Sequence, residues 1–400
     1  MRVAIVHDYL NQYGGAERVL EVLHQLYPEA PIFTSVYDPD ALPDHFRDWT
    51  IYTSFLQKLH IFRRQHQWAL LLYPTAFERF DLTGYDLVIS SSSAWAKGVV
   101  TGPHTLHVCY CHAPMRFAWQ YHDYLRGENV GFVGRAFLPF GLTYVRLWDE
   151  LSAQRVDAYV ANSREVAGRI GKYYRRQATV INPPVDVAAY EVAPTTDDYF
   201  LVVSRLVPYK RLDIVFEAFT RLGVPLKIVG RGRQRSRLAA LAGPNIEFLG
   251  PVSQDELRRL YSRCRALIWP EASDFGIAPV EVQASGRPVI AYAAGGALET
   301  VVGGKTGVFF HQQTPAALIA AVQSFETREF DPAVIRRHAE QYDIAVFLRR
   351  MSEFIASAWT DMRHQHELWP ERVSPYIDGA DAETLPLPVR SEPDAIRFQT

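Results

Sequence analysis

The chain has 400 residues, 48% hydrophobic and 22% charged, which is ample apolar material for two domains of ordinary size, each with a full core. A net charge of −2 and a pI near 6.7 argue against a nucleic-acid binder, so an anionic ligand has to be held by a local site. Three cysteines, Cys109, Cys111 and Cys264, give neither a disulfide framework nor metal-ligand spacing, which suits a reducing cytoplasm. Met1 to Val6 reads as a strand rather than a signal peptide, and no apolar run reaches the ~18 residues of a membrane span.

Val3 to His7 reads as the first strand of a doubly wound sheet, and Gly14-Gly15 as a tight turn opening a helix, a geometry suited to a phosphate. A glycine pair alone is weak, since it lacks the full dinucleotide pattern and equally describes a plain turn. Residues 31–53 alternate strand and turn. Asp38-Pro39-Asp40 has the look of an Asp-x-Asp metal motif, but a proline between two loop aspartates is turn chemistry, and no metal site is expected. Residues 55–73 mix Lys58, Arg63 and Arg64 with Phe55, Leu59, Phe62 and Trp68, which suits either contact with an anionic membrane or packing on the sheet.

Tyr85 to Ser90 and Leu106 to Cys111 are further strands, the second delivering His112-Ala113-Pro114-Met115-Arg116 at its carboxyl end, where open α/β sheets place ligands. Phe117, Trp119, Tyr121 and Tyr124 form an aromatic cluster fit for a core or for stacking on a sugar. Ala158 to Ser163 is a strand whose Asn162-Ser163 can cap a helix from Arg164 to Tyr174. The prolines 183–184 and the turn-rich residues 193–198 mark a hinge.

A second sheet starts at Tyr199 to Val203 and delivers Arg205 and Lys210, a planar fork and a point charge suited to a diphosphate. Leu226 to Val229 leads into a glycine turn at Gly230, Ile246 to Val252 is another strand, and Ser253 with Glu256 opens a helix. Ala266 to Trp269 reads as a buried strand closed by Pro270, followed by the turn Phe275-Gly276-Ile277 and a helix with Pro279 and Glu281 in its first turn. A carboxylate there complements the helix dipole and also lies where a ligand would offer hydroxyls. Pro288 to Tyr292 then delivers Gly295-Gly296, whose backbone N–H groups can approach a phosphate. Helices follow over Thr314 to Phe325 and Ala345 to Met362, and the polar, proline-rich stretch after Gln365 reads as a loose tail.

The runs Phe275-Gly276-Ile277-Ala278-Pro279-Val280-Glu281 and Gly295-Gly296-Ala297-Leu298-Glu299-Thr300 resemble the retaining glycosyltransferases of family 4, and the resemblance covers about 350 residues. One position departs: eight residues before Glu281 stands Ser273 where the family has Glu, with Glu271 and Asp274 nearby. The resemblance implies an α/β, GT-B fold of two facing Rossmann-like domains. These would be an acceptor domain over residues 1–190, joined by a helix returning over 346–362, and a donor domain over 191–345, with a tail at 366–400. It implies His112 against the donor sugar, Arg205 and Lys210 on the diphosphate, Gly14 and Gly15 beside it, and the backbone near Gly230 and Val252 around the nucleotide. Glu271 or Ser273 would meet the sugar, and Phe275, Gly276, Ile277 and Glu281 the ribose side of the donor.

The function so implied is retaining transfer of a hexose, mannose from GDP-mannose by likeness to bacterial mannosyltransferases of surface-polysaccharide assembly, onto a glycan or polyprenyl-linked acceptor. No cofactor beyond the nucleotide sugar, no metal and no nucleic acid are expected. The location implied is the cytoplasm, at the inner face of the membrane through residues 55–73. Two alternatives stand beside it: a nucleotide-sugar epimerase of the same fold, and a non-catalytic nucleotide-sugar-binding subunit.

Overall fold

The computed structural model describes residues 1–58, 70–120 and 132–367, with the main chain alone at 132–138 and 365–367. The expected basic surface over 55–73, apart from its two ends, lies outside the described residues, as do Tyr121, Tyr124 and the tail beyond residue 367.

Seven strands form one sheet: β1 Val3–His7, β2 Ile32–Thr34, β3 Ile51–Thr53, β4 Leu87–Ser92, β5 Leu106–Cys111, β6 Ala158–Ala161 and β7 Thr179–Val180. Their order is β3-β2-β1-β4-β5-β6-β7, and β1 pairs in parallel with both β2 and β4. Six strands form the other: β8 Phe200–Val203, β9 Leu226–Val229, β10 Ile246–Gly250, β11 Leu267–Trp269, β12 Val289–Tyr292 and β13 Gly307–Phe310. Their order is β10-β9-β8-β11-β12-β13, with every pairing parallel.

Parallel sheets are covered on both faces, so their strands read as near-continuous apolar runs. In the six-stranded sheet successive side chains alternate between two cores. Leu201, Leu267, Trp269, Val289 and Ala291 enter one, while Phe200, Val202, Ile268 and Ile290 enter the other. The turn chemistry is local. Ser163, Ser253 and Thr314 each accept a backbone N–H as N-caps, of Val166, Glu256 and Ala317 respectively. Asp38 accepts the N–H of Asp40, the turn role expected for Asp38-Pro39-Asp40.

The order of strands places two topological switch points. β1 and β4 are neighbours whose following connections run to opposite sides of the first sheet, and β8 and β11 are the corresponding pair in the second. Crevices at the carboxyl ends of such pairs are where doubly wound sheets bind ligands.

By its contacts the chain divides into two compact units, one comprising residues 1–110 and 151–158 with the last helix from Arg350, the other residues 111–150 and 159–349. That last helix runs Ile344–Glu367, five residues beyond its expected end. The turn-rich 193–198 stretch is tied to the second sheet's surroundings. Arg287 donates to the carbonyls of Ala193 at 2.6 Å and Thr195 at 3.2 Å, and Arg263 pairs with Asp197 at 3.1 Å.

One expected position is corrected. The helix after β11 begins at Ile277, directly after its N-cap Gly276, which has a φ of +92°. Pro279 therefore still falls in the first turn, but Glu281 lies in the second. A carboxylate there gains little from the helix dipole, which acts within the first turn.

Candidate functional site

In the second unit the candidate residues gather at the β8/β11 switch point. The segment after β8 carries Arg205 and Lys210, and the segment after β11 carries Glu271, Ser273 and Asp274. Lys210 Nζ lies 2.5 Å from Glu271 Oε1, and 5.4 Å from the ring centroids of both Trp269 and Tyr209. Glu271 is nearly fully buried; burial pushes its carboxyl above the ordinary carboxylate range, while the Lys210 ammonium pulls it back down. Arg205 is exposed and donates to the Tyr209 hydroxyl at 2.6 Å. One ammonium fixed over aromatic rings and one exposed guanidinium are thus presented from a single turn, an arrangement able to bind a polyanion.

Ser273 is buried and its hydroxyl accepts from Trp269 Nε1 at 3.3 Å. The glycines around it are spacers for close backbone approach. A Cβ on Gly295 would lie 2.3 Å from the Ser273 carbonyl oxygen, and one on Gly296 2.1 Å from that of Phe275. The Gly296 N–H donates to the Ser273 carbonyl at 2.9 Å. The expectation that this N–H faces a phosphate is corrected accordingly: it is used in locking two adjacent strand-end turns together. Gly230, with φ of +127°, does the same after β9, where a Cβ would fall 2.1 Å from the Ser204 carbonyl.

Glu281 is buried, and its Oε2 accepts from the Tyr261 hydroxyl at 2.9 Å. Phe275 is buried in the same core cluster that Val252 and Ile277 pack against from its edge. His112 follows β5, its ring largely buried and its carbonyl accepting from Asn162 Nδ2 at 2.8 Å. Contacts that sequence reasoning did not assign complete the picture. Asp274 is held by Arg169 and, at 3.4 Å, by Arg116. Tyr209 and Tyr261 fix Arg205 and Glu281. Tyr209 had a signal, its position beside Lys210, whereas Arg169 and Tyr261 lie on helices distant in sequence and had none.

In the first unit the β1/β4 switch point is closed by Asp8. Its buried carboxylate accepts the backbone N–H groups of Ser93, Ala94, Trp95 and Ala96, at 2.5 to 2.9 Å, fixing the turn after β4. Gly14 caps the Gly15–Leu26 helix, and its N–H donates to Glu17 Oε2 at 2.8 Å. Glu17 in turn lies 3.7 Å from His7 Nε2, and His7 Nδ1 is 3.1 Å from the Ser91 hydroxyl.

Two parallel doubly wound sheets give the α/β architecture called GT-B, that of two Rossmann-like domains. Residues 13–189 match the family model described as Glycosyltransferase Family 4, and residues 189–342 that described as Glycosyl transferases group 1. Over residues 13–342 the chain thus carries domains of the family 4 and group 1 glycosyltransferase types on a GT-B fold.

Among its relatives, a D-inositol 3-phosphate glycosyltransferase of Geodermatophilus obscurus is 29% identical over 226 residues, covering 48% of this chain and 50% of that protein. A glycogen synthase of Mycobacterium tuberculosis is 32% identical over 178 residues, covering 41% of this chain and 42% of that one. The chain thus spans about half the length of the curated relatives it matches. Solved structures of the same fold include Anabaena Alr3699/HepE in complex with UDP, with TM-score 0.65 at 18% identity over 89% of this chain and all of that one. The sucrose-phosphate synthase of Thermosynechococcus elongatus has TM-score 0.68 at 16% identity, over 90% of this chain and all of that one.

Proposed function

We propose that the protein transfers a hexosyl group from a nucleotide diphosphate sugar to a glycan or lipid-linked acceptor, with retention at the anomeric carbon. The observation that carries this reading is the presentation of Arg205 and Lys210 from one turn at the β8/β11 switch point, with Lys210 held over Trp269 by Glu271. Breaking the sugar–phosphate bond leaves negative charge on the departing diphosphate, and preorganised cations stabilise that charge. Retention is carried over from the family likeness, and in this reading it proceeds without a protein nucleophile, because the acidic side chains of this turn region are each engaged. Glu271 is paired with Lys210, Asp274 with Arg169 and Arg116, and Glu281 with Tyr261.

In this reading His112 meets the transferred sugar and Glu281 the ribose. Mannose from GDP-mannose is the donor favoured by the likeness to bacterial mannosyltransferases of surface-polysaccharide assembly. Uridine nucleotides are the natural comparison, since the Anabaena neighbour has been solved with UDP and with UDP-glucose. The test is to incubate the protein with GDP-mannose, UDP-glucose, UDP-galactose and UDP-N-acetylglucosamine, and to score nucleotide release with and without candidate acceptors. Acceptor-dependent release of GDP from GDP-mannose alone is the expected result, and release of UDP instead would correct the donor. Binding of a donor with no turnover on any acceptor would identify a non-catalytic binding subunit, the alternative that Ser273 motivates.

A further inference from the structure

Among the described side chains of the helix Phe132–Ala153, the buried ones and the large exposed apolar ones fall on opposite sides. Leu142, Val145 and Trp148 are buried beneath it, and Asp149 accepts from Trp119 Nε1 at 2.6 Å and from the Tyr174 hydroxyl at 2.9 Å. On the opposite side Phe140 is 75% exposed, Tyr144 49%, Leu147 57% and Leu151 66%. Spacings of four, three and four residues put these side chains in one stripe along the helix, roughly 16 Å long at the α-helical rise. Among the described residues no other helix carries such a stripe; the remaining exposed large hydrophobics are isolated or in short pairs. An exposed apolar patch of this kind marks a contact surface rather than chance exposure.

We propose that this stripe is the surface by which the protein lies on a lipid bilayer, with Phe140, Tyr144, Leu147 and Leu151 entering the boundary between headgroups and acyl chains. Area decides between a bilayer and a second copy of the chain. Four large side chains at these exposures leave on the order of 500 Å² in water, whereas a stable protein pair buries about 800 Å² per partner. A bilayer accepts a narrow stripe because an interfacial helix sinks only ~5–10 Å. Charge decides the kind of bilayer contact. Arg146 turns its Nε back onto the Leu142 carbonyl at 3.2 Å, and Glu150 is exposed beside the stripe, so the contact is apolar and needs no anionic lipid. No helix among the described residues is long and apolar enough to cross a membrane, so the helix lies in the plane of the surface.

The inference does not depend on sugar transfer, and its test uses no donor. Flotation with vesicles of pure phosphatidylcholine is expected to carry the protein, and to do so still in about 0.5 M salt, where surface electrostatics are screened. The double variant Phe140→Glu, Leu147→Glu is expected to lower the bound fraction at least about tenfold with an unchanged melting temperature. Binding only to anionic vesicles, unaffected by the double variant, would overturn the proposal and point to a basic surface elsewhere, as would failure of the wild-type protein to float. A second measurement attaches an environment-sensitive dye at Leu147→Cys, which is selective because the three native cysteines are buried. Its emission should shift to the blue only when vesicles are added. A shift already present without vesicles, or a dimer abolished by the double variant, would show that protein covers the stripe and overturn the proposal.

Discussion

Glu271 and Ser273 stand two residues apart in one loop, yet their partners give them different work. Glu271 fixes the Lys210 ammonium, whereas Ser273 only accepts a long hydrogen bond from Trp269. Glu271→Gln should therefore lower turnover more than Ser273→Ala, measured as kcat/KM on the donor that the panel identifies. An inactive Ser273→Ala beside a neutral Glu271→Gln would make the serine itself the sugar ligand. At Glu281, Gln can still accept from Tyr261, so Glu281→Gln should leave the melting temperature nearly unchanged. Donor affinity should fall by about tenfold or more, because a hydrogen bond to a charged group contributes ~1.5–3 kcal/mol. Titration calorimetry with donor, beside a thermal melt, separates the two effects. A buried histidine of the first sheet contributes to the response to acid. His107 is fully buried against the Ser90 hydroxyl at 2.9 Å, and burial, with the Lys97 charge adding to it, lowers its pKa to about 4. A depressed histidine contributes stability that is present above its ordinary pKa of 6.5 and is lost as pH falls toward 4. The loss amounts to about 3 kcal/mol by linkage. His107→Gln, which can keep the bond to Ser90, should flatten the fall of melting temperature between pH 7 and pH 4; an unchanged slope would place the acid sensitivity elsewhere.

At the scale of elements, the strands were legible because a parallel strand buried on both faces reads as an unbroken apolar run, as at Leu106–Cys111 and Val289–Tyr292. Helix starts were legible where a side chain caps them, as Ser163 and Thr314 do. The start at Ile277 was not, because its cap is Gly276 in a left-handed conformation, and a glycine's φ leaves no trace in composition. The same blindness explains Gly295-Gly296. The pattern pointed to a phosphate, whereas the backbone uses both glycines to bring the β11 and β12 turns into contact. Cation positions were readable from type and placement, as for Arg205 and Lys210, but their partners were not, because pairing depends on which strands become neighbours. Gly296→Ala tests the packing role. A Cβ placed 2.1 Å from the Phe275 carbonyl forces the turn apart, so the variant should lower stability by more than about 1 kcal/mol in denaturant unfolding. A stability equal to wild type would show that the two turns are not locked together.

Over the whole molecule, the two switch points are built alike but filled differently. At β1/β4 an internal carboxylate, Asp8, consumes the four N–H groups of the facing turn. At β8/β11 the facing turns bring side-chain cations instead, one of them exposed. In the proposed reading the charge-handling step belongs to the second crevice, while Asp8 holds together the turn at the first. The most direct test is the turnover of Arg205→Ala and Lys210→Ala on the identified donor, with folding verified by circular dichroism. Removal of one preorganised charge from a developing oxyanion costs on the order of 3 kcal/mol, so each variant should lose about two decades in kcat while remaining folded. Near-normal turnover in both would contradict the account, because the diphosphate would then depart from somewhere other than the β8/β11 crevice.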